Sequence, residues 1–499
     1  MKLSEIITRL GSKVQILVDL EIEDIEIDSR LVKKNSAFFA LRSRSKNSDI
    51  DNRKKFISDA IANGASVVVI GNDIDLKTII HDKDKVIIIT LPDPFLSLTN
   101  LLRIFYSPLP NNIYAITGTN GKTSTAEFTR QILEFLGKKS ASIGTLGINC
   151  DDSTKHLIQN SSLTTPDIAS LYKNLHILKK NEVDDVAIEV SSIGLEQERL
   201  AGLSINVAAF TNLTQDHLDY HQNMKEYFRC KMILFDSILE NKSSAILNSD
   251  IKEFSEIKKI CSAKNHRMIE YGFAANDLKL IEITETEIGQ KISFELQRKK
   301  YQFELSISGK FQTYNALCAL GNVIANYHLE ASQLENLLQK FPLLKSANGR
   351  MQLVATLPNN AKIFIDFAHS PDALENVLQL ARQLTKGRVV VLFGCGGNRD
   401  SSKRMLMGNV SCKFADLVIV TDDNPRHEDP KSIRKEILSG CTPSKTLEIA
   451  DRKMAIATAI KSLQADDVLV LAGKGHEKYQ SIGEQRIEFD EEKIVKSLL

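Results

Sequence analysis

Several things are missing from this sequence, and each absence removes a class of function. No apolar run approaches the ~20 residues that a membrane-spanning helix needs, so no membrane insertion is expected. The first residues, Met1 to Lys13, mix charges into a short amphipathic pattern and lack the apolar core of a signal peptide. The seven cysteines are scattered and form no C-x-x-C pair. That argues against a zinc site or a disulfide framework and for reduced thiols in a cytoplasmic protein. The formal net charge is +1, which leaves no electrostatic case for nucleic acid or an anionic surface as partner. Internal repeats and low-complexity segments are also absent. What remains is ordinary globular composition, 42% hydrophobic and 25% charged over 499 residues, too long for one core.

The most informative stretch runs from Asn111 to Gly137. A short apolar run, Ile113 to Ile116, leads into Thr117-Gly118-Thr119-Asn120-Gly121-Lys122-Thr123, and a helical pattern follows, with Phe128, Ile132, Leu133, Phe135 and Leu136 on one face. Strand, glycine-rich turn, lysine–hydroxyl pair and helix make a phosphate cradle. Backbone N–H groups approach phosphate oxygens, Lys122 reaches the terminal phosphates and Thr123 can hold Mg²⁺. The first glycine of the usual G-x-x-x-x-G-K-[ST] pattern is missing, since Ile116 stands there and glycine comes at Gly118. An ATP-type nucleotide with Mg²⁺ is the expected ligand.

The fold class expected is α/β in three domains. The divisions fall at residues 1–108, a small α/β unit; 109–342, around the phosphate-loop sheet; and 343–499, a Rossmann-like parallel sheet. Pro108 and Pro110 mark the first linker. In the first segment strands are expected at Ile25–Asp28, Ala37–Leu41, Val67–Ile70 and Val86–Thr90, with a helix at Lys54–Asn63. Asp28-Ser29-Arg30 follows a strand and by itself reads as a plain turn.

In the middle segment a strand over Val183–Val190 ends at Glu189, the position from which a carboxylate holds Mg²⁺ in many nucleotide enzymes. The next strand, Val207–Phe210, runs into Thr211 to His221, where two histidines and two acids cluster (Asp216, His217, Asp219, His221). Lys231 lies in a helical pattern; an ammonium has no lone pair and binds metal only if chemically changed. Asn315 opens another helix and carries the donor–acceptor pair that can read an adenine edge. In the last segment four β-type runs, Ile363–Phe367, Val389–Phe393, Leu417–Thr421 and Val468–Ala472, each end in a polar motif. Open parallel sheets bind ligands at that edge. Arg399 and Arg426 can each clamp a carboxylate, and Asn424 and Glu477 can receive an ammonium, so a ligand with both charges, such as an amino acid, fits.

Eight motifs in one order carry a family resemblance: Gly118 to Ser124, Glu189 to Ser192, Thr211 to His221, Asn348 to Gln352, Asp366 to Leu374, Phe393 to Asp400, Asp422 to Arg426 and Gly473 to Glu477. The chain resembles the Mur ligases of bacterial cell-wall synthesis, in the branch that adds the third residue of the peptide stem. The resemblance implies an ATP-dependent ligase that joins meso-2,6-diaminopimelate to UDP-N-acetylmuramoyl-L-alanyl-D-glutamate through an acyl phosphate. It places Ile27 and Ser29 at the uridine end, Gly118, Thr119, Asn120, Gly121, Lys122, Thr123 and Ser124 on ATP phosphates, and Thr164, Thr165, Ser191, Gln197 and Arg199 on the muramoyl dipeptide. Thr123 and Glu189 would share one Mg²⁺; His217 and Lys231 would share another, with Lys231 carrying CO₂ as a carbamate. Lys122, Glu189, His217 and Lys231 form the implied catalytic set. Asn315 is implied at adenine, Asp366 at ribose and Arg350 at the γ-phosphate. Arg399, Asp423, Asn424, Pro425, Arg426, Gly473 and Glu477 would surround the amino acid. Its Asp-Asn-Pro-Arg form resembles the diaminopimelate type, with Arg426 on the second carboxylate.

Departures from the family pattern stand at Ser43, Asp51-Asn52, Leu163, Ile193, Gln312, Phe367 and Asn398. The small-molecule substrates imply no macromolecular partner, and a cytoplasmic monomer is expected. Three alternatives stay open at this point: the same ligase adding L-lysine, a folylpolyglutamate synthase-like ligase, and a phosphate-loop ATPase switch without an acceptor.

Overall fold

The computed structural model describes residues 1–16, 18–43, 51–75, 86–158, 161, 163–286 and 289–499. The chain divides into two compact units. The first comprises Met1–Ala115, Lys138–Val207 and Cys230–Ser243; the second comprises Ile116–Gly137, Ala208–Arg229 and Ser244–Leu499.

In the first unit, strands β1 (Asp24–Glu26), β2 (Ser36–Phe39), β3 (Ala65–Gly71) and β4 (Ile87–Leu91) form a parallel sheet in that order. Helix α1 (Arg53–Ala62) ends at Asn63, before Gly64, as expected. Helix α2 (Pro94–Phe105) starts with proline at its first turn. Asp93 caps it, accepting from the N–H groups of Phe95 and Leu96. Further on, β5 (Asn112–Thr117), β6 (Ser140–Gly144), β7 (Gly147–Asn149) and β8 (Asp185–Glu189) take the order β5-β8-β6-β7, and helix α4 (Ile168–Lys180) is capped by Asp167. The chain leaves this unit near the end of β5. The phosphate loop and helix α3 (Lys122–Phe135) belong to the second unit.

The second unit contains β9 (Val207–Phe210) from Ala208 on, and β10 (Ser244–Asn248), β11 (Arg267–Gly272), β12 (Leu278–Thr286), β13 (Gly289–Leu296) and β14 (Lys299–Leu305), in the order β14-β13-β12-β11-β10-β9. The last three strands are antiparallel. Helix α5 (Met224–Ile233) belongs to this unit as far as Arg229 and to the first unit from Cys230, and helix α6 (Lys310–Asn326) packs against α3.

Residues 343–499 supply a separate sheet of six strands. Its order is β15 (Gln352–Thr356), β16 (Lys362–Asp366), β20 (Val468–Ala472), β17 (Val389–Phe393), β18 (Leu417–Val420), β19 (Thr446–Glu448), parallel except for β15. Period-two alternation divides its side chains between two cores. Val389, Val391, Phe393, Val468 and Val470 face α7 (Pro371–Gln383), α8 (Ser402–Phe414) and α9 (Pro430–Leu438). Val390, Leu392, Ile419, Leu469 and Leu471 face α10 (Arg452–Lys461) and α11 (Glu491–Leu498). Each such side chain contributes about 1.5–3 kcal/mol by leaving water. Helices on both faces leave the carboxyl ends of the strands as the free edge, and the four polar motifs lie there. A hairpin, β21 (Tyr479–Ile482) and β22 (Gln485–Glu488), follows the last motif.

Candidate functional site

The phosphate loop is shaped by two glycines whose conformations a side chain would strain. Gly118 has φ +143°, and a Cβ there would lie 1.9 Å from Thr211 Oγ1. Gly121 has φ +84°, and its Cβ would lie 2.4 Å from Asn315 Oδ1. Neighbouring residues hold the loop from outside. Thr119 N–H donates to the Asn212 carbonyl at 2.9 Å, Asn120 N–H donates to Asn212 Oδ1 at 2.8 Å, and Thr211 Oγ1 donates to the Asn120 carbonyl at 2.6 Å. The Lys122 ammonium turns back on its own loop, donating to the carbonyls of Gly118 (3.0 Å) and Thr119 (2.7 Å).

A cavity of about 390 Å³ opens beside this loop. Asn120, Gly121, Thr123 and Ser124 line it, and so do Asn315, Arg350 and Asp366, which lie some two hundred residues later in the chain. Arg350 Nη2 donates to Thr123 Oγ1 at 3.1 Å, and its guanidinium stacks over the Phe367 ring at 4.8 Å. Asn315 is buried and donates to Gln312 Oε1 at 3.1 Å, so it packs against the loop rather than standing on a helix surface. Asp366 differs from the expectation in one respect. Both of its oxygens already accept backbone N–H groups, from Met351 and from Ala368, each at 2.7 Å, and burial raises its pKa against the pull of Arg350. A hydroxyl ligand would have to use the remaining lone pairs.

The sequence reading missed other residues on this cavity. Asp250, just beyond the end of β10, accepts from Tyr314 Oη at 2.5 Å and from the N–H groups of Phe273 and Ala274 at 2.8 Å. Asp372, in the first turn of α7, accepts from Asn120 Nδ2 at 2.8 Å, and burial raises its pKa. The strand-end rule could have flagged Asp250; Asp372 lies in the polar motif that follows β16, where its residue type alone gives it no role.

His217 sits at φ +55°, before a short turn of helix. Its Nε2 is 3.5 Å from Asp216 Oδ2, which is also 3.4 Å from His369 Nε2, while Lys403 Nζ is 3.6 Å from Asp216 Oδ1. Burial pushes the Asp216 carboxyl up, but these three neighbours overcome it and hold its pKa well below the usual range. Asp216 and His369 lie in motifs already noted, and Lys403 outside them; their meeting depends on tertiary contact.

The expected amino-acid residues form a second group and line no part of that cavity. Glu477 Oε2 accepts from Asn424 Nδ2 at 2.8 Å. The fully buried Lys474 donates to Asn424 Oδ1 at 3.1 Å and lies 3.5 Å from Glu477 Oε2. Arg426, at φ +53°, donates from Nη1 to the Gly397 carbonyl at 2.8 Å. Burial and the nearby Arg399 both lower its pKa. Arg399 itself is 3.9 Å from Asp219. Asp423 Oδ2 is buried with no hydrogen-bond partner among the described residues, and a Cβ at Gly473 would lie 2.9 Å from it. Two guanidiniums and a carboxylate oxygen whose ion-pair partner, Arg452 Nη1, stands 3.9 Å off suit a ligand with carboxylates and an ammonium. The Pro425 carbonyl lies 2.0 Å from where a Cβ of Gly397 would be, so that loop closes on glycine.

In the first unit, Thr165, Ser191, Gln197 and Arg199 come together. Thr165 Oγ1 lies 3.2 Å from Ser191 Oγ, Arg199 Nη1 donates to the Thr165 carbonyl at 2.6 Å, and Arg199 Nη2 donates to Gln197 Oε1 at 2.6 Å. Thr164 Oγ1 is 3.1 Å from Thr145 Oγ1, which with its own N–H meets the Glu189 carboxylate at 3.1 and 2.9 Å. A Cβ on Gly144 would lie 2.0 Å from Glu189 Oε1, so the carboxylate occupies a space only glycine leaves. Ile27 and Ser29 follow β1; Ser29 is buried and its carbonyl accepts from Asn63 Nδ2 at 2.8 Å. Lys231, on α5, is 1% exposed. Taken one at a time, these side chains have the chemistry a metal uses: in the first unit the Glu189 carboxylate and the buried Lys231 amine, which a carbamate would turn into an oxygen ligand, and in the second unit the Thr123 hydroxyl and the His217 imidazole.

The comparisons with known proteins place the chain in a family. The Mur ligase middle domain matches residues 116–323, and the Mur ligase glutamate ligase domain matches residues 349–475. A relative from Rickettsia bellii, named UDP-N-acetylmuramoyl-L-alanyl-D-glutamate–2,6-diaminopimelate ligase, is 40% identical over 482 residues, covering 96% of each chain. One of the same name from Rickettsia rickettsii is 38% identical over 487 residues, covering 97% of each. A solved structure of a ligase with that name superposes with a TM-score of 0.64 at 28% identity, covering 100% of this chain and 98% of the other. From its motifs, its fold and these relatives, the chain belongs to the Mur ligase family.

Proposed function

We propose that the chain uses ATP to join meso-2,6-diaminopimelate to the D-glutamate γ-carboxylate of UDP-N-acetylmuramoyl-L-alanyl-D-glutamate, a step of peptidoglycan precursor synthesis. The observation that carries this reading is the shared cavity, where the phosphate loop meets Asn315, Arg350 and Asp366. The relatives' names support the choice of substrates.

In this reading the γ-carboxylate oxygen attacks the γ-phosphorus of ATP, the bond to the bridging oxygen breaks, and ADP leaves. The acyl phosphate then takes the amine of diaminopimelate; the amine loses a proton, and the carbon–oxygen bond to phosphate breaks to leave the amide. Lys122, Arg350 and the loop N–H groups neutralise the transferring phosphate. Thr164, Thr165, Ser191, Gln197 and Arg199 hold the muramoyl dipeptide, and Ile27 and Ser29 its uridine end. Arg399 and Arg426 take the two carboxylates of the amino acid, while Asp423, Asn424 and Glu477, with Pro425 and Gly473 shaping the pocket, orient its ammonium. Thr123, Glu189, His217 and a carbamate on Lys231 would hold Mg²⁺, which supplies charge neutralisation at the phosphates. The work divides among residues 1–108, 109–342 and 343–499. No helix among the described residues is long and apolar enough to cross a membrane; a cytoplasmic monomer without nucleic-acid partner completes the proposal.

The test is ADP and phosphate release by the full chain, given the UDP-linked dipeptide with meso-diaminopimelate or L-lysine in parallel. Release is expected only with nucleotide, dipeptide and amino acid together, with kcat/KM favouring diaminopimelate by about 10²-fold. ADP release without an acceptor rejects the ligase reading, and a preference for lysine rejects the role given to Arg426.

A further inference from the structure

Strand β1 is only three residues long, lies at an edge of its sheet, and pairs with β2 alone. So short an edge strand has little ladder to hold it in place. Yet it runs directly into Ile27 and Ser29. Asp24 and Glu26, two residues apart, face the same side of it. Glu26 is 3% exposed, a cost that a carboxylate bears only with partners. The partner is Lys173, on α4. Its ammonium donates to Asp24 Oδ2 and, at 3.3 Å, to Glu26 Oε1. Tyr106, immediately after α2, donates its hydroxyl to Asp24 Oδ1 at 2.5 Å and accepts from the Ile25 N–H at 3.3 Å. Helix α4 starts from Thr165-Pro166, with Asp167 as its cap. One lysine therefore connects the strand that delivers Ile27 and Ser29 to the helix that follows Thr165, beginning at Ile168.

We propose that Lys173 is a positioning residue for the UDP-linked substrate, fixing the segment at its uridine end relative to the segment at its muramoyl end. The proposal rests on the substrate reading given above. Lys173 touches neither nucleotide nor reacting atoms; it acts by cancelling the repulsion of two half-buried and buried carboxylates on a weakly paired strand. Other charged groups around the network act on the same balance. Asp167 opposes the charged form of Glu26. His176, whose ring centre is 6.0 Å from that of Tyr106, lines a cavity of about 390 Å³ beside the network, together with Glu21, Glu23, Lys180 and the amino terminus. Burial, with Asp24 next to it, pushes the Glu26 carboxyl up to about 7, so Lys173 faces a charge that is costly to keep. Removing the cation takes the ammonium from Asp24 and drives Glu26 to take a proton, so the bonds that tie the strand to α4 are lost and the strand shifts.

The experiment is steady-state kinetics of the full chain carrying K173M or K173R, with calorimetric binding of the UDP-linked dipeptide. For K173M the KM and Kd for that substrate are expected to rise about tenfold, with kcat and the KM values for ATP and diaminopimelate within about twofold of wild type. K173R is expected to restore most of the affinity. A folded K173M protein with unchanged affinity for the dipeptide overturns the proposal, as does a uniform loss across all three substrates. Should K173M not fold, D24N carries the test, since Glu26 still pairs with Lys173 there; a rise of about threefold is expected in the dipeptide KM alone, and no rise overturns the proposal. Wild-type protein that does not bind the UDP-linked dipeptide sinks the substrate reading itself. Binding that S29W weakens and K173M does not sinks only the role of Lys173.

Discussion

At the phosphate loop, positive ends come mainly from backbone N–H groups, kept in place by Asn212 and Thr211; Lys122 is turned onto carbonyls of its own loop, and Arg350 reaches Thr123 from outside it. At the proposed amino-acid edge the positive ends are two guanidiniums, Arg399 and Arg426, and burial, with Arg399 nearby, disfavours the charged form of Arg426. The first region reads negative charge without caring which molecule carries it. The second places charges at fixed points and so selects a shape. A ligase needs both: one region common to every ATP user, another particular to its amino acid.

Four substitutions test that contrast, in order of expected effect. Lys122→Ala should lower ADP release in the complete reaction by about 10³-fold or more, because the developing phosphate charge loses its cation; a fall below tenfold would mean that the backbone suffices. Arg426→Ala should lower kcat/KM for meso-diaminopimelate by about 10²-fold and leave the KM for ATP within about twofold, since one carboxylate then lies unpaired. Were L-lysine turnover to fall equally, the edge would not be reading the second carboxylate. Gly118→Ala puts a methyl 1.9 Å from Thr211 Oγ1 at a φ that side chains avoid. It should raise the KM for ATP about tenfold and cost about 1–3 kcal/mol of stability, read by thermal unfolding. Asn120→Ala removes the bonds to Asp372 and Thr214. About fivefold in the KM for ATP is expected, with diaminopimelate untouched; a larger effect on the amino acid would show that the two regions are not separate.

Much of this arrangement was legible in the residues. Val389–Phe393 and Val468–Ala472 are β-type runs between helical patterns, and the strands span those same residues because both faces of the sheet are buried. Gly118 to Thr123 announced a strand–turn–helix, which the structure has. Residues 244–305 received no reading, although Lys299–Leu305 alternates exposed and buried positions as an outer strand does. The contacts of Asp372 with Asn120, and of Asp216 with His369 and Lys403, join residues more than 150 positions apart. Nothing in local propensity encodes such a meeting; it follows from how α7 and α8 pack. The expectation that Asp366 serves ribose also carried no hint of the two backbone N–H groups it already accepts.

The folded-back Lys122 has a consequence for which small molecules can occupy the cavity. A ligand that draws on Lys122 finds its ammonium already holding two carbonyls and must displace them. A phosphate chain does so with full negative charge. A neutral compound does not; in the cavity it has the apolar and amide contacts of Phe311 and Asn315, where the proposal puts adenine. Compounds that compete for the adenine end alone would therefore leave the lysine parked. Their affinity would be indifferent to Lys122→Ala, whereas ATP analogues would lose theirs.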